Sequence, residues 1–169
     1  TVSFITFGDI LMRLSTPHHQ TFEQAQAFDI HYGGAEMNVA IGLSGLGIDT
    51  AMVTALPNND IGDNIIQHLR RYNVNADKVK SASGRLGIYF TESGYAQRAN
   101  RLIYDRQMSV FSQLNPDEYE IESILKAHEW FHITGITAAL NDALFEYLKK
   151  AVKIAKTLGL FVSCDLNFR

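Results

Sequence analysis

Short apolar runs alternate along most of the chain with longer stretches whose apolar residues recur at helical spacing. Thr1–Phe7 is apolar and β-branched and ends in Gly8-Asp9, which predicts a strand that enters a turn. Ala35–Leu46 has helical spacing and many small residues, and Gly47 is a suitable stop for a helix. Further strands and helices are predicted in turn at Thr50–Leu56, Ile61–Tyr72, Trp130–Thr134, Asn141–Leu158 and Leu160–Leu166. The alternation predicts an α/β fold with a mostly parallel sheet flanked by helices.

Three segments in which polar and apolar residues alternate do not fit inside such a sheet. They are Ala27–Tyr32, Leu86–Thr91 and Arg101–Asp105. No crossover helix separates the last two segments, so we expect them to pair antiparallel. Ile10–Ser15 can continue as a further extended segment. The polar strands therefore suit a small second sheet that stands apart from the main one, such as a lid.

Composition excludes several classes of protein. The chain is 46% hydrophobic and 20% charged, which is ordinary for a globular domain, and its net charge of -3 argues against a nucleic-acid partner. No apolar run approaches the ~20 residues of a membrane span, and the first residues do not resemble a signal peptide. The single cysteine, Cys164, fits a cytoplasmic protein and is expected to be buried in its apolar run. The histidines lack zinc-like spacing, so no metal site is predicted.

Ligands of open α/β folds bind beyond the carboxyl ends of the strands, so polar residues at these ends are the candidates for a site. Asp9 follows the first strand, and its carboxylate can accept hydrogen bonds from two hydroxyl groups. Gly33 and Gly34 precede a helix with Asn38 in its first turn, where backbone amides can approach a ligand closely. Asp9 can equally be a turn residue, and the two glycines a plain strand-to-helix turn.

Two further sets of polar residues lie on predicted strands or directly after one. Tyr104 and Arg106 lie on one face of a strand, with Tyr89 in the neighbouring one, and arginine can hold a carboxylate through two parallel hydrogen bonds. A cross-strand pair on an exposed ribbon would explain them equally well. Asn167 and Arg169 come directly after the last strand, with Asp165 at its end, which points to the ligand edge of the sheet.

These sets, in this order, resemble the N-terminal half of the PfkB (ribokinase-like) carbohydrate kinases. Family members often carry glycine where this chain has Pro57, and the Leu56-Pro57 version is similar to the 2-keto-3-deoxygluconate kinases. Gly87-Ile88-Tyr89-Phe90 and Tyr104-Asp105-Arg106 are similar to the same branch. The other matching stretches are Phe7-Gly8-Asp9, Gly33-Gly34-Ala35-Glu36-Met37-Asn38-Val39-Ala40, Thr54–Pro57, Asp60-Ile61-Gly62 and Asp165-Leu166-Asn167-Phe168-Arg169.

The resemblance implies that residues 1–169 form the N-terminal part of one ribokinase-like domain, with lid strands within about 10–34 and 86–108. The implied reaction transfers the γ-phosphoryl group of ATP, with Mg²⁺, to a primary hydroxyl of a sugar acid such as 2-keto-3-deoxygluconate. A homodimer through the lid is a further expectation, without nucleic-acid or membrane partners.

The same resemblance implies roles for individual residues. Asp9, Gly33, Gly34 and Asn38 would hold the sugar, which Tyr89, Tyr104 and Arg106 would contact from the lid. Arg169 would face the carboxylate or the transferring phosphoryl group, and together with Asn167 it would border the nucleotide.

The catalytic aspartate of the family belongs to a GxGD motif, which this chain does not contain before Arg169. We therefore expect the catalytic residue beyond Arg169, and we expect residues 1–169 alone to be inactive. Alternatives are a family member that acts on fructose or ribose, a non-catalytic sugar-binding module, or an α/β domain without a ligand.

Overall fold

The computed structural model describes residues 3–168 of the chain, so Arg169 lies outside the described residues. In chain order the strands are β1 (Ser3–Phe7), β2 (Leu11–Ser15), β3 (Asp29–Gly33), β4 (Asp49–Pro57), β5 (Val74–Asn75), β6 (Val79–Ala82), β7 (Ile88–Glu92), β8 (Arg101–Asp105), β9 (Trp130–Thr134) and β10 (Phe161–Asp165). The α-helices are α1 (Ala35–Gly45), α2 (Asp60–Arg71), α3 (Ile121–Leu125), α4 (Gly135–Ala138) and α5 (Asp142–Thr157).

The main sheet has the strand order β10-β9-β1-β4-β5, and β6 pairs with a second part of β4. All of its strand pairs are parallel, which confirms the predicted parallel sheet. The predictions missed β5 and β6, because two and four residues are too few to show a periodic pattern.

Two apolar clusters cover the faces of the main sheet. One contains Phe7, Phe131 and Leu148 and packs α3 and α5 on one face. The other contains Met37, Met52 and Ile65 and packs α1 and α2 on the opposite face. Burial of apolar surface stabilises this arrangement by roughly 25 cal/mol per Å², so the strand ends are held in fixed positions.

Polar side chains cap the N-terminal ends of α2 and α5. The side chain of Asn59 accepts hydrogen bonds from the backbone amides of Ile61 and Gly62 at the start of α2. Asn141 accepts one from Leu144 at the start of α5. These N-caps satisfy amides that have no partner inside the helix, which fixes where each helix begins.

The small sheet has the strand order β3-β2-β7-β8. The pairs β2–β3 and β7–β8 are antiparallel, whereas β2 and β7 run parallel. The predicted antiparallel pair and the predicted second sheet are therefore confirmed. Leu11–Ser15 joins the sheet as its second strand and connects it directly to the end of β1.

The prediction that Cys164 is buried is wrong, because its side chain is exposed. Cys164 lies on β10, which is the outermost strand of the main sheet within residues 3–168. Phe161 on the same strand is 63% exposed, because within residues 3–168 β10 pairs on one side only, with β9. No helix in the described part of the chain is long and apolar enough to cross a membrane.

Candidate functional site

A cleft of about 950 Å³ lies between the small sheet and the carboxyl ends of β1 and β10. It contains residues of both sheets and of the first turn of α1. All the candidate residues within 3–168 line it, namely Asp9, Gly33, Gly34, Asn38, Tyr89, Tyr104, Arg106 and Asn167. The structure thus brings together residues that are up to 158 positions apart in the sequence (167 minus 9). Their roles in binding stay predictions.

Asp9 is a buried carboxylate at the floor of the cleft and is only 5% exposed. Arg106 Nη2 donates a hydrogen bond to Asp9 Oδ2 at 2.8 Å, and the two groups form an ion pair. Burial raises the pKa of Asp9 to about 6, although the charge and hydrogen bond of Arg106 act in the opposite direction. Asp9 can therefore change its protonation state in the mildly acidic range.

Gly33 and Gly34 allow a close approach between the two sheets and α1. A Cβ atom on Gly34 would lie 2.5 Å from the backbone oxygen of Asp9, which is too close for any side chain. A Cβ atom on Gly33 would lie 2.6 Å from the hydroxyl of Tyr89. Since both contacts concern residues of the cleft, the glycines shape its walls. Asn38, one turn into α1, is exposed to the same cleft.

Glu36 is a buried cleft residue that the sequence interpretation did not select as a candidate. The hydroxyl groups of Thr134 and Thr137 both donate to Glu36 Oε1, at 2.7 Å and 2.6 Å. Burial raises the pKa of Glu36, and its negative charge contributes to the raised pKa of Asp9. The side chain passes so close to Gly8 that a Cβ atom there would clash with it. Glu36 therefore ties the start of α1 to β9 and α4.

The small sheet presents two rows of side chains to the cleft. In the first row Arg13 lies between His31 and Tyr89, and Tyr89 lies beside Tyr104. The rings of Tyr89 and Tyr104 are 5.6 Å apart between centroids and tilted by 31°. The second row consists of Asp29, Ser15, Thr91 and Leu102. Hydroxyl and charged groups thus dominate this wall of the cleft.

The sequence interpretation also missed Arg13. The alternation of polar Arg13 and Ser15 with apolar Met12 and Leu14 was the available signal, because it places the polar pair on one face of a strand. The sequence does not show which strands pair with this one. It therefore does not show that the polar face points into the cleft.

The residues after β10 form the remaining edge of the cleft. The side chain of Asp165 accepts a hydrogen bond from the backbone amide of Asn167 at 2.9 Å. Asn167 has a positive φ of 50°, which asparagine tolerates better than most residues. Arg169 was predicted for this edge and lies outside the described residues. Among residues 3–168 no group of three or more His, Cys, Asp or Glu side chains is arranged to hold a metal ion.

The cleft suits a small, polar ligand with several hydroxyl groups and a negative charge. Asp9 and Asn38 can accept hydrogen bonds from hydroxyls, whereas Arg13 and Arg106 supply positive charge. The two tyrosine rings add apolar faces with hydroxyl tips.

Comparisons with known proteins find relatives among the sugar kinases. The chain is 32% identical over 169 residues to the 2-dehydro-3-deoxygalactonokinase of Haloferax volcanii, covering 100% of this chain and 53% of that protein. It is 29% identical over 157 residues to the 2-dehydro-3-deoxygluconokinase of Thermoproteus tenax, covering 92% of this chain and 48% of that protein.

A solved structure is closely similar. The 2-dehydro-3-deoxygluconokinase of Thermotoga maritima superimposes with a TM-score of 0.96 at 43% identity, covering 100% of this chain and 52% of that one. The chain therefore spans about half the length of these relatives and corresponds to their N-terminal half. The model of the pfkB family carbohydrate kinases matches residues 3–169. The chain belongs to the PfkB family of carbohydrate kinases.

Proposed function

We propose that the full-length protein is an ATP-dependent kinase that phosphorylates a primary hydroxyl of a sugar acid, 2-keto-3-deoxygluconate (also named 2-dehydro-3-deoxygluconate). One observation carries the choice of an acidic sugar: two arginines and two tyrosines line the same cleft as the buried carboxylate of Asp9. Arginine holds carboxylates in a geometry that a neutral sugar does not exploit. The names of the relatives from Haloferax, Thermoproteus and Thermotoga support the same substrate class.

Each part of the cleft has a role in the proposed complex. Asp9, Gly33, Gly34 and Asn38 hold the hydroxyl groups of the sugar from the main domain. Tyr89, Tyr104 and Arg106 contact the sugar acid from the small sheet, which acts as a lid. Phosphoryl transfer depends mainly on positioning and charge stabilisation, so these contacts would hold the acceptor hydroxyl in line with the nucleotide.

The phosphoryl donor would be ATP, with Mg²⁺, as the kinase family implies. Asn167 and Arg169 are the proposed contacts of this chain to the nucleotide side of the cleft. When bound, the metal would neutralise charge on the transferring phosphoryl group. The described residues offer it no cluster of ligands, so we assign none of them to the metal.

The proposal is tested with the purified full-length protein, ATP and Mg²⁺, and a panel of acceptors. We expect phosphorylation of 2-keto-3-deoxygluconate with a kcat/KM well above the values for fructose and ribose. A preference for fructose or ribose would refute the acidic substrate, and sugar binding without ATP turnover would indicate a binding module. Residues 1–169, purified alone, are expected to show no turnover, and detectable activity would contradict the proposed location of the catalytic aspartate.

We also propose a homodimer through the small sheet. Its face away from the cleft carries Leu14, Ile30, Phe90 and Ile103, which lie opposite one another in register. Ile30 is 61% exposed and Ile103 is 49% exposed. Large exposed apolar patches commonly mark interfaces, so this face is suited to pair with a second copy of the chain. Sedimentation of the full-length protein should give a dimer, and Ile30→Asp should give a monomer. A monomeric wild-type protein at micromolar concentration would overturn this proposal.

A further inference from the structure

Arg13 lies in the middle of the small sheet and faces the cleft. On one side its register partner is His31, and on the other it is Tyr89. All three residues line the cleft, as expected for directly opposed residues, whose side chains share one face of a sheet. The position thus places a guanidinium beside the aromatic pair of Tyr89 and Tyr104.

Arg13 has no carboxylate partner within residues 3–168, whereas other arginines of this region do. Arg106 pairs with Asp9 at 2.8 Å, and Arg85 pairs with Asp105 at 2.7 Å. By contrast, Arg13 Nε is buried and has no hydrogen-bond partner in the described part of the chain. A buried donor without a partner is costly, so a native protein rarely leaves one without a reason.

The difference between Arg13 and Arg106 concerns the net charge that each offers to a ligand. The Asp9 carboxylate already neutralises Arg106 when it is ionised. The charge of Arg13 is not neutralised by such a contact, and the nearest acidic residue on its wall by register, Asp29, lies in the next row on the neighbouring strand. Among the arginines of residues 3–168 that line the cleft, Arg13 is therefore the one whose charge no carboxylate neutralises.

We propose that Arg13 is a specificity-determining residue that receives the carboxylate of the sugar acid. The inference rests on the proposed function and adds to it, because it separates two roles. Arg106 contacts the sugar while it keeps Asp9 in position beside the sugar hydroxyls. Arg13 is the residue that distinguishes an acid from a neutral sugar. The phenol groups of Tyr89 and Tyr104, in the same row, can complete the hydrogen bonds of the carboxylate.

The test compares two ligands of similar size and shape, 2-keto-3-deoxygluconate and its carboxamide, of which only the first carries a negative charge. Their affinities for the full-length protein are measured by titration calorimetry without ATP. The wild-type protein is expected to prefer the acid, and R13Q should reduce that preference by roughly 10- to 100-fold through weaker binding of the acid. Binding of the carboxamide should change little. R85Q, which removes an arginine outside the cleft lining, should preserve the preference.

An unchanged preference in R13Q would overturn the role of Arg13. So would a folded R13Q variant whose affinities for the acid and the carboxamide fall by the same factor. Thermal unfolding of R13Q establishes whether the variant is folded. If it is not, a crystal structure of the wild-type protein with the sugar acid decides: a carboxylate about 3 Å from the Arg13 guanidinium supports the inference, and one bound elsewhere refutes it. A wild-type protein that does not prefer the acid would instead refute the proposed function.

Discussion

Arg106 donates a hydrogen bond to Asp9 at 2.8 Å, and this contact joins the small sheet to the carboxyl end of β1. Arg106 directly follows β8, 97 residues after Asp9, so the ion pair forms only when both sheets are in place. Burial disfavours the charged form of Asp9 and Arg106 favours it, and the resulting pKa is about 6. The pair therefore couples the position of the small sheet to the charge at the floor of the cleft.

The raised pKa of Asp9 predicts a pH dependence of stability. Its folded-state pKa of about 6 exceeds the ordinary value of 3.8, so the folded protein binds the proton more tightly than the unfolded chain. This contribution is fully present below about pH 4 and is lost as the pH rises through about 6. Asp9→Asn removes the titration. The variant should therefore gain stability relative to wild type between pH 4 and pH 7, as measured by urea unfolding. A constant difference across that range would contradict the assignment.

Removal of Arg106 should move the pKa of Asp9 further upward. Burial raises the pKa of Asp9, and Arg106 lowers it through its charge and its hydrogen bond. Arg106→Gln removes the charge, so the effect of burial on the pKa is less compensated. Asp9 accepts hydrogen bonds from hydroxyl groups best when it is ionised. The kcat/KM of Arg106→Gln for the sugar acid should therefore reach its plateau at a higher pH than that of the wild type. The pH profile of Arg106→Lys, which keeps the charge, should lie closer to wild type, and identical profiles for all variants would refute the coupling.

Gly34 should not tolerate even an alanine. A Cβ atom there would stand 2.5 Å from the backbone oxygen of Asp9, and a backbone atom cannot move aside as a flexible side chain can. Gly34→Ala is therefore expected to lower kcat/KM at least tenfold and to destabilise the fold by about 1–3 kcal/mol, as overpacking does. Activity assays and urea unfolding of the full-length protein measure both effects.

Gly42 provides the matched control on the same helix. A Cβ atom at Gly42 would meet nothing within 4 Å. Gly42→Ala in the interior of α1 should instead stabilise the protein by about 0.5–1 kcal/mol, because alanine favours helix more than glycine does. Equal effects of the two substitutions would show that the close contact at Gly34 is unimportant.

The sequence was sufficient for the features that rest on local patterns. The apolar run of β1 followed by Gly8-Asp9, and the glycine pair before α1, marked strand ends, and parallel strands bring their ends to one edge of a sheet. The same logic placed Tyr104 on a polar strand, whereas Arg106, predicted on the same strand, directly follows it. In the structure these residues line a single cleft.

What the sequence did not disclose depends on contacts between distant segments. The parallel pairing of β2 with β7 decides that Arg13 stands next to Tyr89, and no local pattern encodes that pairing. The burial of Glu36 depends on Thr134 and Thr137, about a hundred residues away in the chain. The exposure of Cys164 likewise depends on pairing, because β10 has a neighbouring strand on one side only within residues 3–168.

Glu92 secures the far end of the small sheet, away from the Asp9 contact. Its carboxylate is 1% exposed and accepts a hydrogen bond from the backbone amide of Phe22 at 3.0 Å. It also forms ion pairs with Arg98 at 3.3 Å and with Arg101 at 3.5 Å. One carboxylate thus joins the segment between β2 and β3 to the β7–β8 hairpin.

Glu92→Ala should therefore loosen the small sheet more than the main sheet. Loss of one partner of a buried ion pair costs about 3–5 kcal/mol, and the partial exposure of both arginines favours the lower end of that range. Hydrogen exchange should accelerate at the amides of β3 and β8, while those of β1 and β4 change little. Glu146→Ala, which breaks an exposed pair with Lys149 on α5, should cost less than about 1 kcal/mol. If exchange rose equally in both sheets, or if the two variants behaved alike, Glu92 would not be the residue that holds the small sheet together.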